Sequence, residues 1–203
     1  MKLPEHFRSM SMTTIAAGEH FVTRRKEVVK TLLGSCVAVC LFDPKNRVIG
    51  MNHFLLPADR VRADEVMATR AGFYGINAME LLINAMLKKQ AERRFMQAKV
   101  FGGGNVLKPK DGLNQAYEIG RINIEFVREF LQREHLPIVT EDVGGQHGRV
   151  IYFDATDYSV YRSLIDSTQE RTVRVRETQL LHRAEEQVKQ EGDNVQIWNE
   201  DDV

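Results

Sequence analysis

The sequence predicts a domain of mixed strands and helices, and three observations lead there. An apolar run, Val37 to Phe42, is closed by Asp43-Pro44-Lys45-Asn46 and followed by a second run, Val48 to Leu56, stopped by Pro57. Proline favours the second turn position and aspartate the first, so the two runs read as a β-hairpin. Between Ala71 and Lys89 the residues Ile76, Met79, Ile83, Met86 and Leu87 recur at steps of three and four, the apolar face of an amphipathic helix. Short strand-like runs, Ala98 to Phe101, Ile138 to Val143 and Val150 to Phe153, lie beside glycine-rich turns.

The remaining elements follow in order. Residues 1–17 have no clear period and read as a loose arm ending before Gly18; Phe21 to Leu33 is mixed. A second helix is expected to start near Asn123, a good N-cap with Glu125 in the first turn, and to stack Phe126, Val127, Phe130 and Leu131 before Pro137. Residues 168–203 form a charged extension; from 169 onward they hold five basic and nine acidic residues. There the alternation Val173-Arg174-Val175-Arg176 suggests an edge strand, Gln179 to Gln190 a solvated helix, and Gly192 to Val203 a mobile end.

Composition bounds the function. At 203 residues the chain suits one globular domain that needs no disulfide or metal to hold its core. Its 28 basic and 28 acidic residues cancel, which argues against nucleic acid as a default partner. Two cysteines four residues apart form no secreted disulfide framework, so a reducing cytoplasm is expected. No apolar stretch is long enough for a membrane span or a signal sequence.

The hairpin carries the chemistry. If the ends of Asp43–Asn46 pair, Cys36 faces His53 across the ladder on one side of the sheet, in reach for a thiolate–imidazolium couple. A loop one residue longer would put Phe54 opposite Cys36 and turn His53 to the other face. Gly34 and Ser35 leave room for a carbonyl and offer backbone N–H groups to a developing oxyanion. Thr31 offers a hydroxyl to the far nitrogen of His53, as a third catalytic member, provided the chain kinks at Leu33 or Gly34. Cys40 reads as a small core residue. Gly102 to Asn105 with Lys108 hints at a phosphate cradle but matches neither nucleotide fingerprint, and His147 reads as a surface-turn residue. The histidines and cysteines show no paired ligand spacing, so no metal and no cofactor is expected.

Four segments go beyond spacing: Thr31 to Asp43 with its Gly-Ser-Cys, Gly50 to Pro57 with its Asn-His-Phe, Ala98 to Gly104, and Asp142 to Arg149. In order and in content they resemble the CheD family, the chemoreceptor glutamine deamidases of bacterial chemotaxis, over residues 18–167. That resemblance implies an α+β fold, a β-sandwich flanked by helices, similar to Cys-His toxin deamidases. It also implies hydrolysis of glutamine side chains in methyl-accepting chemoreceptors, with Cys36 as nucleophile, His53 as its partner and Thr31 as the third member. A CheC-type phosphatase is a further partner the resemblance suggests. From a different class, a non-catalytic docking module with Cys36 simply buried competes with this reading, as does a receptor methylesterase using the same thiol.

Overall fold

A computed structural model of the chain describes residues 3–56, 67, 69–106 and 115–166, with 169, 170, 172, 173, 175–180, 183 and 186 of the C-terminal segment. Lys108, Gly192 to Val203 and much of the Gln179–Gln190 helix lie outside the described residues.

Among the described residues, nine strands form two sheets. They are β1 (Ser11–Thr14), β2 (His20–Thr23), β3 (Glu27–Leu33), β4 (Val37–Asp43), β5 (Val48–Phe54), β6 (Gln97–Gly102), β7 (Ile138–Val143), β8 (Arg149–Asp154) and β9 (Val160–Leu164). One sheet runs β1-β3-β8-β9 and the other β2-β5-β4-β6-β7. The pairs β1–β3 and β6–β7 are parallel and the remainder antiparallel. The helices α1 (Arg70–Lys88) and α2 (Gln115–Arg133) accompany them.

Strand β4 explains the layering. All seven of its residues are buried because both faces are covered, so no polar alternation survives in its sequence. Val37, Val39 and Leu41 pack with Met79, Leu82, Ile83 and Met86 of α1 and Phe126, Val127 and Leu131 of α2. Cys36, Ala38, Cys40 and Phe42 pack instead with Val29, Leu33, Ile151 and Phe153 of the opposite sheet. The order is sheet, sheet, helices, the α+β sandwich with helices outside. Helix α1 opens where the Thr69 side chain accepts from the Gly72 N–H, an N-cap that satisfies one of the first-turn donors.

Several expectations are corrected. Residues 5–17 are not a loose arm: β1 pairs with β3, and Phe7 and Ile15 are buried. Helix α2 begins eight residues before Asn123. Asn123 is no cap: its Nδ2 donates to the Ile119 and Ser35 carbonyls, and its Oδ1 accepts from the Leu56 N–H. Residues 172, 173 and 175–180 are helical, not an edge strand. Val173 and Glu177 are buried and four residues apart, the spacing that puts both on one helical face. On α1, Leu82 takes the core position while Leu87 is exposed.

Candidate active site

The hairpin register differs from the expected one. Asp43 pairs with Val48, and Ala38, not Cys36, stands opposite His53. The cause is local. The Asp43 carboxylate accepts from the Lys45 and Asn46 N–H groups, an Asx turn that leaves Asp43 in the strand, and Arg47 adopts φ 55°. The loop is therefore Pro44–Arg47, and the register moves by two. A two-residue slip preserves the face, where a slip of one would have reversed it. Cys36 thus lies diagonally from His53, two positions before Ala38, and both belong to the layer between the sheets.

Thr31 reaches His53 because the chain changes sheets. After Leu33 it bends through Gly34–Cys36 from one sheet into the other, so β3 and β5 face each other across the sandwich. Thr31 Oγ1 lies 2.7 Å from His53 Nδ1 and 2.8 Å from the Ile15 carbonyl oxygen. The carbonyl can only accept, so the hydroxyl proton goes to Ile15 and Thr31 accepts from Nδ1–H. That fixes the tautomer, with a bare lone pair on Nε2. Nε2 is buried and has no hydrogen-bond partner among the described residues.

The bend ahead of Cys36 is held from one side. The Gly34 carbonyl accepts from Gly104 N–H at 2.6 Å, the Ser35 carbonyl from Asn123 Nδ2 at 3.2 Å, and the Cys36 carbonyl from Gly103 N–H at 2.7 Å. With the three carbonyls tied, the N–H groups of Gly34, Ser35 and Cys36 converge on the other side, an anion-binding nest. Their partner is the Glu177 carboxylate, at 3.0, 2.9 and 3.2 Å, which also accepts from Ser35 Oγ at 2.7 Å. The glycine run thus supports the loop.

A cavity of about 350 Å³ opens onto this centre. Thr14 to Ala17, Leu32, Cys36 and His53 line it from the sandwich, and Val173, Arg176, Glu177 and Leu180 from the C-terminal segment. Electrostatics in this arrangement run against a preformed ion pair. Burial, then the charge of Glu177 and a hydrogen bond to it, push the Cys36 thiol well above its ordinary value. Burial alone pushes His53 down to about 3. Both groups are neutral near pH 7, which corrects the expected thiolate–imidazolium couple. Cys40, free and buried like Cys36, is also raised by burial.

Glu177, Asn123 and Ile15 went unrecognised in the sequence. The Val-Arg-Val-Arg alternation hid a helical face on which Val173, Glu177 and Leu180 follow at steps of four and three. Asn123 resembled a cap, and Ile15 contributes only its backbone. His147 is exposed, with Nδ1 3.0 Å from Glu170 Oε1. Arg149 is buried and donates to the Asp142 carboxylate and the Gly144 carbonyl, clamping the glycine turn. Among the described residues no group of three or more His, Cys, Asp and Glu is placed to hold a metal ion, and no helix is long and apolar enough to cross a membrane.

Comparison with known proteins places the chain in a family. The family described as CheD chemotactic sensory transduction matches residues 55–163. A Shewanella oneidensis protein named "Probable chemoreceptor glutamine deamidase CheD 2" is 54% identical, over 96% of this chain and 98% of its own. A Geobacter sulfurreducens protein named "Probable chemoreceptor glutamine deamidase CheD 1" is 43% identical over 91% and 92%. Among solved structures, a Neisseria meningitidis protein superposes with a TM-score of 0.37 at 11% identity, over 68% of this chain and 64% of that one. On a match to more than half its length and relatives of such identity along nearly all of it, the chain belongs to the CheD family.

Proposed function

We propose that the chain is a cysteine-dependent protein glutamine deamidase that converts selected glutamines of methyl-accepting chemoreceptors to glutamate, releasing ammonia. Family membership and the names of its relatives support the substrate. The observation that carries the chemistry is the bare Nε2 of His53, oriented by Thr31 within the cleft that holds Cys36.

Because both groups are neutral, His53 acts as a general base while the sulfur attacks, rather than meeting a ready thiolate. Cys36 Sγ bonds to the glutamine Cδ as its proton passes to Nε2. The oxygen of the tetrahedral intermediate takes N–H groups of Gly34, Ser35 and Cys36. The imidazolium then gives its proton to the departing nitrogen, ammonia leaves, and a thioester remains. Water, deprotonated by His53, hydrolyses the thioester and restores the thiol. Each turnover consumes one water and leaves one carboxylate on the receptor.

The reaction belongs in the cytoplasm, consistent with two unpaired cysteines. A CheC-type phosphatase is the second partner in this reading, competing with the receptor for the cleft. The test incubates the purified full chain with a receptor cytoplasmic fragment and follows ammonia and the glutamine-to-glutamate mass change. Cys36→Ala and His53→Ala are expected to lower conversion by about a thousandfold or more. Undiminished conversion in both would refute the assignment. Methanol release without ammonia would select an esterase, and inert wild type on a cognate receptor a docking module.

A further inference from the structure

Glu177 sits where a reaction product would sit. Hydrolysing a glutamine side chain yields a glutamate side chain, and here a glutamate carboxylate fills the nest of three N–H groups and one hydroxyl beside the nucleophile. The residue is only 3% exposed although it comes from the charged C-terminal segment. Its helix is seated by Val173, also 3% exposed, and by Leu180, both packed on the layer between the sheets. Gly34 permits the approach: a Cβ there would fall 2.7 Å from Val173 Cγ1 and 2.8 Å from Glu177 Oε1. In the same cavity, His53 Nε2 has no hydrogen-bond partner among the described residues, as expected of a base awaiting a proton from sulfur or water.

We propose that Glu177 is an intramolecular product analogue that fills the acyl subsite, so that this helix competes with substrate. The site accordingly takes a glutamine side chain borne on a helix with an apolar residue one turn before it, as Val173 precedes Glu177. This rests on the deamidase reading for the identity of the subsite, while occupancy by the tail rests on geometry alone. Occupancy also explains why Cys36 is silent in this arrangement. The sulfur is buried, and Glu177 opposes its ionisation by charge and accepts a hydrogen bond from the thiol. Activity requires the helix to leave, and a receptor helix would replace it.

In one variant the enzyme becomes its own substrate. In Glu177→Gln the carboxamide oxygen would keep the Gly34 and Cys36 N–H groups, and so hold the carboxamide carbon beside Cys36. The S–C bond forms, the C–N bond breaks, and ammonia leaves with the proton carried by His53. Water then cleaves the thioester, returning the thiol and leaving glutamate at position 177. Purified full-length E177Q is expected to release one ammonia per chain and to show the corresponding mass change at position 177. The double variant Glu177→Gln with Cys36→Ala is expected to do neither. E177Q that keeps its glutamine through prolonged incubation would overturn the product-analogue reading.

Iodoacetamide labelling tests occupancy independently of catalysis. In Glu177→Ala, Cys36 should be alkylated at least about tenfold faster than in wild type while Cys40 stays slow. Unchanged Cys36 labelling, or a parallel rise at Cys40 from general loosening, would overturn the occlusion. If labelling rises as expected but Cys36→Ala still converts a receptor fragment, the nucleophile assignment fails and the tail's occupancy stands.

Discussion

Thr31 links the two sheets through one proton and one lone pair, and its contribution can be isolated. Valine matches its shape but leaves the Nδ1–H of His53 and the Ile15 carbonyl unpaired in a buried site. Each lost partner costs about 1–3 kcal/mol, so Thr31→Val should lower stability by about 2–6 kcal/mol in urea unfolding. Freed from Thr31, the imidazole has no fixed tautomer, and kcat should fall by about tenfold or more, with KM little changed. Thr31→Ser, which keeps the hydroxyl, should recover most of both. Full kcat in the valine variant would remove Thr31 from the site. At this scale the residue types were legible in the sequence: Cys36 behind Gly-Ser, and His53 on the neighbouring strand. Their register was not, because the Asx turn at Asp43 and the left-handed Arg47 lengthen the loop by a conformation that apolar patterning does not encode. The face survived since the error was an even number of residues.

The glycine segment after β6 shapes the loop that bears the nucleophile. At Gly102 φ is 112°, and a Cβ would lie 2.2 Å from the Cys36 carbonyl oxygen, a backbone atom that cannot rotate away. Gly102→Ala should therefore cost about 3 kcal/mol or more, combining strain with overlap, and should displace the Cys36 N–H and lower activity with it. Gly144 is the control. Its φ is 75° with nothing within 4 Å of a Cβ, so Gly144→Ala carries the conformational penalty alone, about 1–2 kcal/mol. Equal urea midpoints for the two variants would mean that the close approach plays no part. The hairpin and α1 were legible as elements because one carries a turn signal and the other a 3.6-residue period. β1 and β3 were not: Glu27, Lys30 and Thr31 interrupt the apolar pattern, and β1 gains its place by pairing rather than by burial. Asn123 misled for a related reason, since a residue that bonds a neighbouring loop from inside a helix has the same chemistry as one that caps it.

The whole molecule places ionisable groups in a layer with little water, and this determines where the fold is most stable. His53 is held near 3 in the folded chain and titrates near 6.5 in an unfolded one. Between those values the unfolded chain binds a proton that the folded chain refuses. The contribution of His53 is thus full above about pH 6.5 and is lost as pH falls towards 3. Cys36 and Cys40 act with opposite sign: their raised thiols keep protons that an unfolded chain releases above about pH 8.5. Stability they supply is full below that pH and declines above it. Asp43 and Asp154, both lowered by hydrogen bonds despite burial, lose their contribution only as pH falls below about 4. The stability of the sandwich should therefore be highest between about pH 6.5 and 8.5. On the acid side the first loss belongs to His53, at about 1.4 kcal/mol per pH unit for one proton, or about 1.5 kcal/mol between pH 6.5 and 5. His53→Asn retains an N–H for Thr31 but removes the titration, so its unfolding free energy should be flatter by that amount across this interval, whatever its absolute value. Urea midpoints measured at half-unit steps decide the matter, and parallel curves for wild type and variant would show that His53 is not held neutral inside the fold.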